Sequence, residues 1–168
     1  MLTVAAETFL RSSPDETWAA LGRRSTYLRF PGVTRGSEAA GSLQHMLDLP
    51  ILDTIVQTVT LSIARVRGNG RRERRFSLRG PMVSIAGCWT LAPADDGVRL
   101  RVTLAYDIAP SLQEQAVNML RSRSPLPIRT DADAILGRAV DEFFETRFGE
   151  HATACCDAVR AQIATRSP

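Results

Sequence analysis

Alternation of apolar and polar residues dominates the middle of the chain. In the clearest run, residues 98–108, apolar side chains from Val98 to Ile108 occupy every second position and mostly polar ones lie between them. A period of two is typical of a β-strand that buries one face. The same pattern predicts strands over 3–10, 54–66, 71–79 and 82–91, with hairpin turns at 68–70 and 95–97. These strands would form an antiparallel sheet whose dry face needs a cover.

Apolar residues at helical spacing follow the last strand and supply that cover. They recur from Asp131 to Ile163, which predicts one long amphipathic C-terminal helix. The segment 110–130 is long for a plain connection, so we expect a helix around 112–120, placed to act as a lid. Residues 33–52 have no clean period, and short strands are expected there. The pattern predicts an α+β domain, with a curved antiparallel sheet of six to seven strands wrapped around the long helix.

Two short helices are predicted directly after the first strand. Ser13 is a suitable N-cap, Pro14 suits the first helical position, and Glu16 completes a capping box. Gly22 is expected to end this helix in the left-handed conformation. A second helical turn is expected over 25–30, before a Pro-Gly turn.

Length and composition indicate one domain over residues 1–168. The chain is 44% hydrophobic and 23% charged, as in ordinary globular proteins. Its first residues lack the basic, then apolar pattern of a signal peptide, and no stretch approaches the roughly 20 apolar residues that cross a bilayer. We therefore expect a cytoplasmic protein without integral membrane association. All 21 basic residues are arginine, which favours a GC-rich bacterial source.

Cysteine and histidine usage bears on redox and metal chemistry. Cys88, Cys155 and Cys156 are odd in number and two are adjacent, so we expect reduced, packed thiols and no disulfide. Only two histidines are present, and no metal-binding, nucleotide-binding or hydrolase motif occurs. The sequence predicts no metal site and no cofactor.

A basic cluster at 71–75 has two interpretations. It could bind an anionic partner such as nucleic acid or lipid headgroups. It could also be a solvated strand beside a hairpin tip, which we favour because no recognition motif or interleaved aromatic residue accompanies it. No nucleic-acid partner is expected.

Several short motifs carry a family resemblance that covers nearly the whole chain. The first run is similar to a family pattern that caps and packs the first helix: Ser13-Pro14-Asp15-Glu16-Thr17-Trp18-Ala19-Ala20-Leu21, followed by Tyr27 and Phe30-Pro31-Gly32-Val33. The later runs are similar to the strands and turns of the same family: Gly87-Cys88-Trp89-Thr90-Leu91, Asp96-Gly97-Val98-Arg99-Leu100 and Tyr106-Asp107-Ile108. The chain resembles the helix-grip fold of the SRPBCC or START-like superfamily, which includes polyketide cyclases, coenzyme-Q-binding proteins and pollen-allergen-like carriers.

The resemblance implies a cavity between the sheet and the long helix that binds a hydrophobic small molecule, such as a polyketide, an isoprenoid or a lipid. A concave sheet closed by one helix favours the same conclusion. Two functional classes remain open. One is a cofactor-free polyketide cyclase or dehydratase-like enzyme, and the other is a non-catalytic carrier or sensor. A monomer or a homodimer is expected.

Cyclase-type chemistry would need a proton shuttle and a hydrogen-bond donor for an enolate. His45, Gln57 and Tyr106 are the candidate catalytic residues, and Arg74 is a candidate for holding an acyl oxygen. Each has a structural alternative: His45 is expected to be exposed, Tyr106 to be a core tyrosine with a satisfied hydroxyl, Gln57 to join a structural network, and Arg74 to be solvated. The candidate ligand-binding residues are Tyr27, Gln57, Arg74, Phe76, Trp89, Tyr106, Phe143 and Phe144.

Overall fold

A curled antiparallel sheet and one long helix make up most of the fold. The computed structural model describes residues 1–36, 42–49, 52–68, 71–123 and 132–165. Within those residues the elements are, in chain order, β1 (Leu2–Leu10), α1 (Pro14–Leu21), α2 (Arg24–Tyr27), β2 (Val33–Arg35), β3 (Leu43–Leu49), β4 (Asp53–Gly68), β5 (Arg71–Arg79), β6 (Val83–Ala94), β7 (Gly97–Ile108), α3 (Pro110–Arg123) and α4 (Ala132–Ala164).

The described strands form one seven-stranded sheet in the order β1-β7-β6-β5-β4-β3-β2, and neighbouring strands are antiparallel. β4 is 16 residues long; its first half pairs with β3 and its second half with β5. Because one strand serves two neighbours in succession, the sheet curls around its inner face. The predicted α+β class and strand count are confirmed, and the period-2 residues of β7 are buried as expected.

α4 covers the inner face of the sheet, as predicted from its apolar stripe. The helix has 33 residues and is therefore about 50 Å long. It packs mainly along β1 and β7, and Arg160 donates a hydrogen bond to the Thr8 hydroxyl of β1. Phe144, Phe148 and Val159 of α4 are buried in the shared core. The long helix thus closes the dry face that the strand pattern left uncovered.

The N-terminal helix begins as predicted but does not end as predicted. The Ser13 hydroxyl accepts a hydrogen bond from the Glu16 N–H at 3.2 Å, and Pro14 occupies the first turn. Gly22 was expected to be left-handed, but its φ is −83°, which is right-handed. Its lack of a side chain serves packing instead, because a Cβ at this position would lie 3.0 Å from Cζ of Arg74.

The two segments without a clear sequence pattern are partly regular. Residues 33–35 and 43–49 form β2 and β3, which confirms the expected short strands. The expected helix around 112–120 is confirmed as α3, which buries Leu112 and Ala116. The turn residues Asn69 and Gly70 lie outside the described residues. None of the described helices is long and apolar enough to span a membrane. All three cysteines are free, as expected.

Candidate functional site

A buried polar cluster lies between β3, β7 and α4. The Tyr106 hydroxyl is 2.7 Å from Nδ1 of His151, and Cys155 Sγ is 3.8 Å from the same nitrogen. The imidazole of His45 faces that of His151 with ring centroids 5.8 Å apart. Four polar side chains from three elements therefore meet at one place in the core, which we call the histidine cluster (His45, Tyr106, His151 and Cys155).

The protonation states in the histidine cluster follow from burial. Burial lowers the pKa of His151 to about 4, although a hydrogen bond with the Pro31 backbone acts to raise it. Burial also lowers the pKa of His45 to about 4, and the neighbouring His151 adds to this shift. The pKa values of Tyr106 and Cys155 are both raised by burial. At neutral pH both imidazoles are therefore uncharged, and the phenol and thiol are protonated.

The hydrogen bond between Tyr106 and His151 can run in either direction, because a protonated phenol both donates and accepts and the roles of the ring nitrogens depend on the tautomer. The Pro31 backbone also forms a hydrogen bond with this imidazole. His151 is therefore held by polar contacts from β7 and from the turn after α2.

His45 was expected to be exposed, and that expectation is wrong. The side chain is 0% exposed, and neither ring nitrogen has a hydrogen-bond partner in the described part of the chain. The reason is its register: His45 lies on the inward face of β3, between Val33 on β2 and Gln57 on β4. Residues 43–49 alternate in burial, and His45 takes an inward position that apolar residues hold on either side.

A groove of about 410 Å³ opens beside the histidine cluster. Its walls come from the turn after α2, from β3, from the start of β4 and from one face of α4: Pro31, Gly32, Met46, Leu47, Asp48, Leu49, Thr54, Arg147, Phe148, Glu150, His151 and Ala154. The volume is in the range of small-molecule sites. His45 does not line the groove and lies one ring deeper, behind His151.

Gly32 allows the groove to form on the side of β3. Its φ is +71°, a left-handed conformation that glycine adopts without strain. Its carbonyl accepts a hydrogen bond from Met46 N–H at 2.8 Å, and a Cβ here would collide with the Met46 carbonyl. The Pro-Gly turn therefore packs directly on β3 and forms one edge of the groove.

The structure gives Gln57 a clear set of partners away from the groove. Its Nε2 donates to the Val83 carbonyl at 2.7 Å, and its Oε1 accepts from the Met82 and Val83 N–H groups at 3.0 Å each. Gly80 leaves the space that this amide fills. Gln57 thus satisfies the backbone at the start of β6, which is the structural network considered from the sequence.

Arg74 was expected to be solvated, and that expectation is also wrong. The residue is 3% exposed, and its guanidinium lies 4.5 Å from the ring centroid of Trp18. Its Nε has no hydrogen-bond partner within the described ranges. Burial lowers the pKa of Arg74; nearby Tyr27 opposes this effect and Arg65 adds to it. Among the described residues no carboxylate pairs with it. Arg74 stands among arginines in the sequence and was therefore grouped with a solvated cluster. In the structure every second residue of β5 points inward, and these buried residues are Arg74, Phe76 and Leu78.

The predicted aromatic wall residues divide into two clusters. Tyr27, Phe30, Phe76 and Trp89 form an inner aromatic cluster with centroid distances from 4.9 to 6.2 Å. The Tyr27 hydroxyl donates to the Leu21 carbonyl at 2.8 Å. These rings contact one another and fill the space between sheet and helices at this end. They do not line the described groove.

The second aromatic cluster lies on α4 beside the groove. Phe143 and Phe144 have ring centroids 5.6 Å apart, and Phe144 stacks near Phe148 at the same distance. Phe148 stacks on Tyr106 at 3.8 Å with an angle of 8° between the rings. Phe148 therefore links the histidine cluster to the groove wall.

A second depression, of about 460 Å³, lies on the sheet around β4, β5 and β6. It is lined mainly by outward residues that alternate with the core, such as Ser62, Ser77, Ala86 and Cys88. The histidine cluster is on the opposite face. We therefore assign the candidate site to the groove beside α4.

No protein-family model matches the sequence, and no curated protein matches it significantly. Solved structures match over nearly the whole chain. The di-domain ARO/CYC BexL from the BE-7585A biosynthetic pathway superposes with a TM-score of 0.58 at 10% identity, covering 99% of this chain and 51% of BexL. A protein from Thermus thermophilus superposes with a TM-score of 0.51 at 13% identity, covering 99% of this chain and 100% of that protein. A conserved protein from Geobacillus kaustophilus superposes with a TM-score of 0.50 at 12% identity, covering 98% of this chain and 96% of that protein.

The chain has the START-like helix-grip fold. The low identities limit the likeness to the fold, so the site must be argued from this chain's own residues.

One central residue of the candidate site was missed from the sequence. His151 was considered only as a metal ligand, and no metal-binding group of residues occurs in the described ranges. The signal was nevertheless present, because Phe144, Phe148, His151 and Cys155 follow one another at spacings of four, three and four. Such spacing puts all of them on one helix face.

Proposed function

We propose that this protein binds a hydrophobic small molecule, such as a polyketide, an isoprenoid or a lipid-like compound, in the groove beside α4. The observation that carries the proposal is the position of His151. It lines a 410 Å³ groove with Phe148, and its imidazole is hydrogen-bonded to the Tyr106 hydroxyl at 2.7 Å. An apolar pocket with a few oriented polar groups is the usual form of a small-molecule site.

The composition of the groove supports an apolar ligand. Leu47, Leu49, Phe148 and Ala154 give it an apolar wall, and its charged side chains lie towards solvent. Such a wall would stabilise a bound molecule by about 25 cal/mol for each Å² of apolar surface removed from water. The structural match to BexL, described as an ARO/CYC protein, is compatible with this class of ligand.

Binding can be tested with the neutral, apolar fluorophore N-phenylnaphthylamine. We expect saturable fluorescence enhancement with the full chain. Ala154→Trp places a large side chain in the groove and should weaken binding at least about tenfold. Ala161→Trp is the matched control, because Ala161 lies two turns further along α4, is exposed and does not line the groove. Equal binding by both variants would place the probe elsewhere and overturn the proposal.

A second candidate function is cofactor-free cyclisation or dehydration of the bound molecule. The specific observation is the 2.7 Å contact between Tyr106 and His151, which holds an uncharged imidazole in the groove wall. A neutral imidazole can polarise a carbonyl, but with a pKa of about 4 it is a weak base. The geometry therefore favours activation of a carbonyl over abstraction of a proton by His151.

The two candidates can be separated with Tyr106→Phe. This variant keeps the ring that stacks on Phe148 and removes only the hydroxyl. A carrier should retain probe binding and show no product with any poly-ketone substrate, in the parent or the variant. An enzyme should form product in the parent and lose at least about tenfold in rate in the variant, with binding retained.

A further inference from the structure

We infer that the ligand of the groove carries a hydrogen-bond donor and an acceptor side by side, as in a primary carboxamide or a lactam. These two atoms pair with the backbone N–H and carbonyl of Asp48, on the open edge of β3. The inference rests on the proposed function, since it names the polar group that the same groove recognises. Three observations carry it: the short pairing of β2 with β3, the direction of the backbone groups of β3, and the course of the groove along this edge.

The open edge of β3 results from the shortness of β2. β2 pairs only with residues 43–45 of β3, whereas β4 pairs with residues 43–49. The described sheet ends at β2. Among the residues that the structure describes, 46–49 therefore have a strand neighbour on one side only.

The direction of the backbone shows which groups of this edge are free. In an antiparallel ladder the N–H and carbonyl of one residue point to the same side, and those of the next residue point to the other side. The Met46 N–H donates to the Gly32 carbonyl at 2.8 Å, on the side away from β4. Asp48 lies two residues further on, so its N–H and carbonyl point to that side as well. Neither group has a backbone partner within the described ranges.

The groove follows this open edge. Its walls include Gly32, which packs on the edge side of β3, and residues 46–49 themselves. Asp48 is exposed and belongs to the groove lining. A molecule that binds in the groove can therefore reach the backbone of Asp48 without passing another side chain of the core.

Loss of water from the edge decides which ligand chemistry fits. A backbone N–H or carbonyl that is covered without gaining a partner weakens binding. A hydrocarbon would leave both groups of Asp48 unpaired. A primary carboxamide or a lactam presents its N–H and its C=O on the same side, so it pairs with both groups of a single residue.

The charges of the groove disfavour a carboxylate at the same place. A carboxylate has two acceptors and no donor, so one of its oxygens would face the Asp48 carbonyl. Among the described residues of the groove lining, the one guanidinium is that of Arg147, and it already pairs with Glu150 at 2.9 Å. The Asp48 side chain adds a further negative charge. An uncharged donor and acceptor pair is therefore preferred over an acid.

The inference can be tested with four ligands that share one ring system: naphthalene, and acetylnaphthalene, naphthamide and naphthoate substituted at the same ring position. Acetylnaphthalene and naphthamide have nearly the same shape, but only the amide has a donor. Affinities are measured at pH 7 by displacement of N-phenylnaphthylamine. We expect naphthamide to bind about tenfold more tightly than naphthalene, as two net hydrogen bonds would give, with acetylnaphthalene between them. Naphthoate should bind more weakly than naphthalene.

Two variants connect this preference to the backbone of Asp48. Asp48→Pro removes the N–H donor, and proline is tolerated on an edge strand where the N–H has no ladder partner. Asp48→Ala is the matched variant: both substitutions remove the carboxylate, but only proline removes the N–H. We expect the advantage of naphthamide over naphthalene to fall to about threefold or less in Asp48→Pro, as the loss of one of two hydrogen bonds would give, and to persist in Asp48→Ala.

Amide hydrogen exchange gives a direct readout in the parent protein, which stands even if Asp48→Pro does not fold. The Asp48 amide should exchange quickly in the free protein, whereas the Met46 amide, bonded to the Gly32 carbonyl, should exchange slowly. Saturating naphthamide should slow exchange at Asp48 at least about fivefold, and naphthalene should slow it less.

The outcomes separate this inference from the proposed function. If naphthamide binds no more tightly than acetylnaphthalene, or if naphthoate binds best, the inference is wrong while binding of apolar ligands stands. An undiminished preference for naphthamide in Asp48→Pro, or unchanged exchange at Asp48, would place the amide elsewhere and overturn the inference in the same way. If N-phenylnaphthylamine does not bind, or if none of the four ligands displaces it, the proposed function fails and the inference fails with it.

Discussion

The hydroxyl of Tyr106 on β7 lies 2.7 Å from Nδ1 of His151 on α4, and this contact joins the sheet to the helix that covers it. Phe148 stacks on the Tyr106 ring one helical turn earlier in α4. The tyrosine therefore has an apolar partner for its ring and a polar partner for its hydroxyl. Because His151 also lines the groove, this hydrogen bond fixes the position of a polar side chain in the groove wall.

The first prediction concerns stability after Tyr106→Phe. The variant leaves Nδ1 of His151 with only the weak Cys155 thiol, 3.8 Å away, as a partner, so we expect a loss of about 1–3 kcal/mol in the free energy of unfolding. Urea denaturation measures it, with an unchanged m-value if the folded state stays compact. A variant as stable as the parent would mean that the hydrogen bond between Tyr106 and His151 does not stabilise the fold.

The second prediction concerns pH. Both histidines have a folded-state pKa of about 4, below the ordinary value of 6.5. Between these values the unfolded chain binds protons that the folded chain does not, so stability is complete above pH 6.5 and falls as the pH is lowered towards 4. From pH 6.5 to 5 we expect a loss of about 1–2 kcal/mol for each histidine.

Urea denaturation at pH 5, 5.8 and 6.5 would measure this slope above the range where exposed carboxylates titrate. His45→Leu removes one of the two groups and should reduce the slope by about half. A pH-independent stability in the parent over this window would contradict the burial of neutral imidazoles.

Much of the fold was predictable from the sequence because its cause is local. The period-2 run that ends with Tyr106 and Ile108 identifies a one-sided strand, and the stripe through Phe144 and Phe148 identifies the helix that covers it. The Ser13 cap is likewise a contact between near neighbours. Periodicity and capping depend on residues a few positions apart, so the chain alone reveals them.

The site was less predictable because it depends on long-range register. His45 faces inward because of the register in which β3 pairs with β2 and β4. A short segment without a clear sequence pattern does not predict that register. Arg74 appeared to belong to a solvated basic run, yet its alternation with Phe76 places it inside. Gln57 was correctly placed on the buried face, but its partners at Met82 and Val83 are 25 and 26 residues away.

The third prediction compares two glycines. A Cβ at Gly87 would collide with the ring of Phe76 in the inner aromatic cluster, whereas nothing lies within 4 Å of a Cβ at Gly137 in α4. We expect Gly87→Ala to destabilise the protein by about 1–3 kcal/mol through overpacking. Gly137→Ala should stabilise it by up to about 1 kcal/mol, because alanine favours the helix. Thermal unfolding compares them, and a tolerated Gly87→Ala would show that the Phe76 ring can move.

The fourth prediction concerns the contact between Arg74 and Trp18. The guanidinium lies 4.5 Å from the Trp18 ring in a largely buried position, so a cation–π interaction of about 1 kcal/mol is expected. A double-mutant cycle with Arg74→Met and Trp18→Leu isolates it in urea denaturation. Arg74→Met keeps the apolar stem, so the variant should fold. A coupling energy near zero would mean that Arg74 is held by packing against Gly22 alone.

The last prediction is that His45→Leu makes the protein more stable. The imidazole is fully buried and both nitrogens lack partners among the described residues, so it carries an uncompensated desolvation cost. Leucine has a similar volume and no polar atom, and we expect a gain of about 1–3 kcal/mol, seen as a rise in Tm of roughly 2–4 °C for each kcal/mol. Gln162→Leu should show a similar or smaller gain, because only its Oε1 is buried without a partner among the described residues. If His45→Leu instead loses stability, His45 already has a partner, such as a buried water.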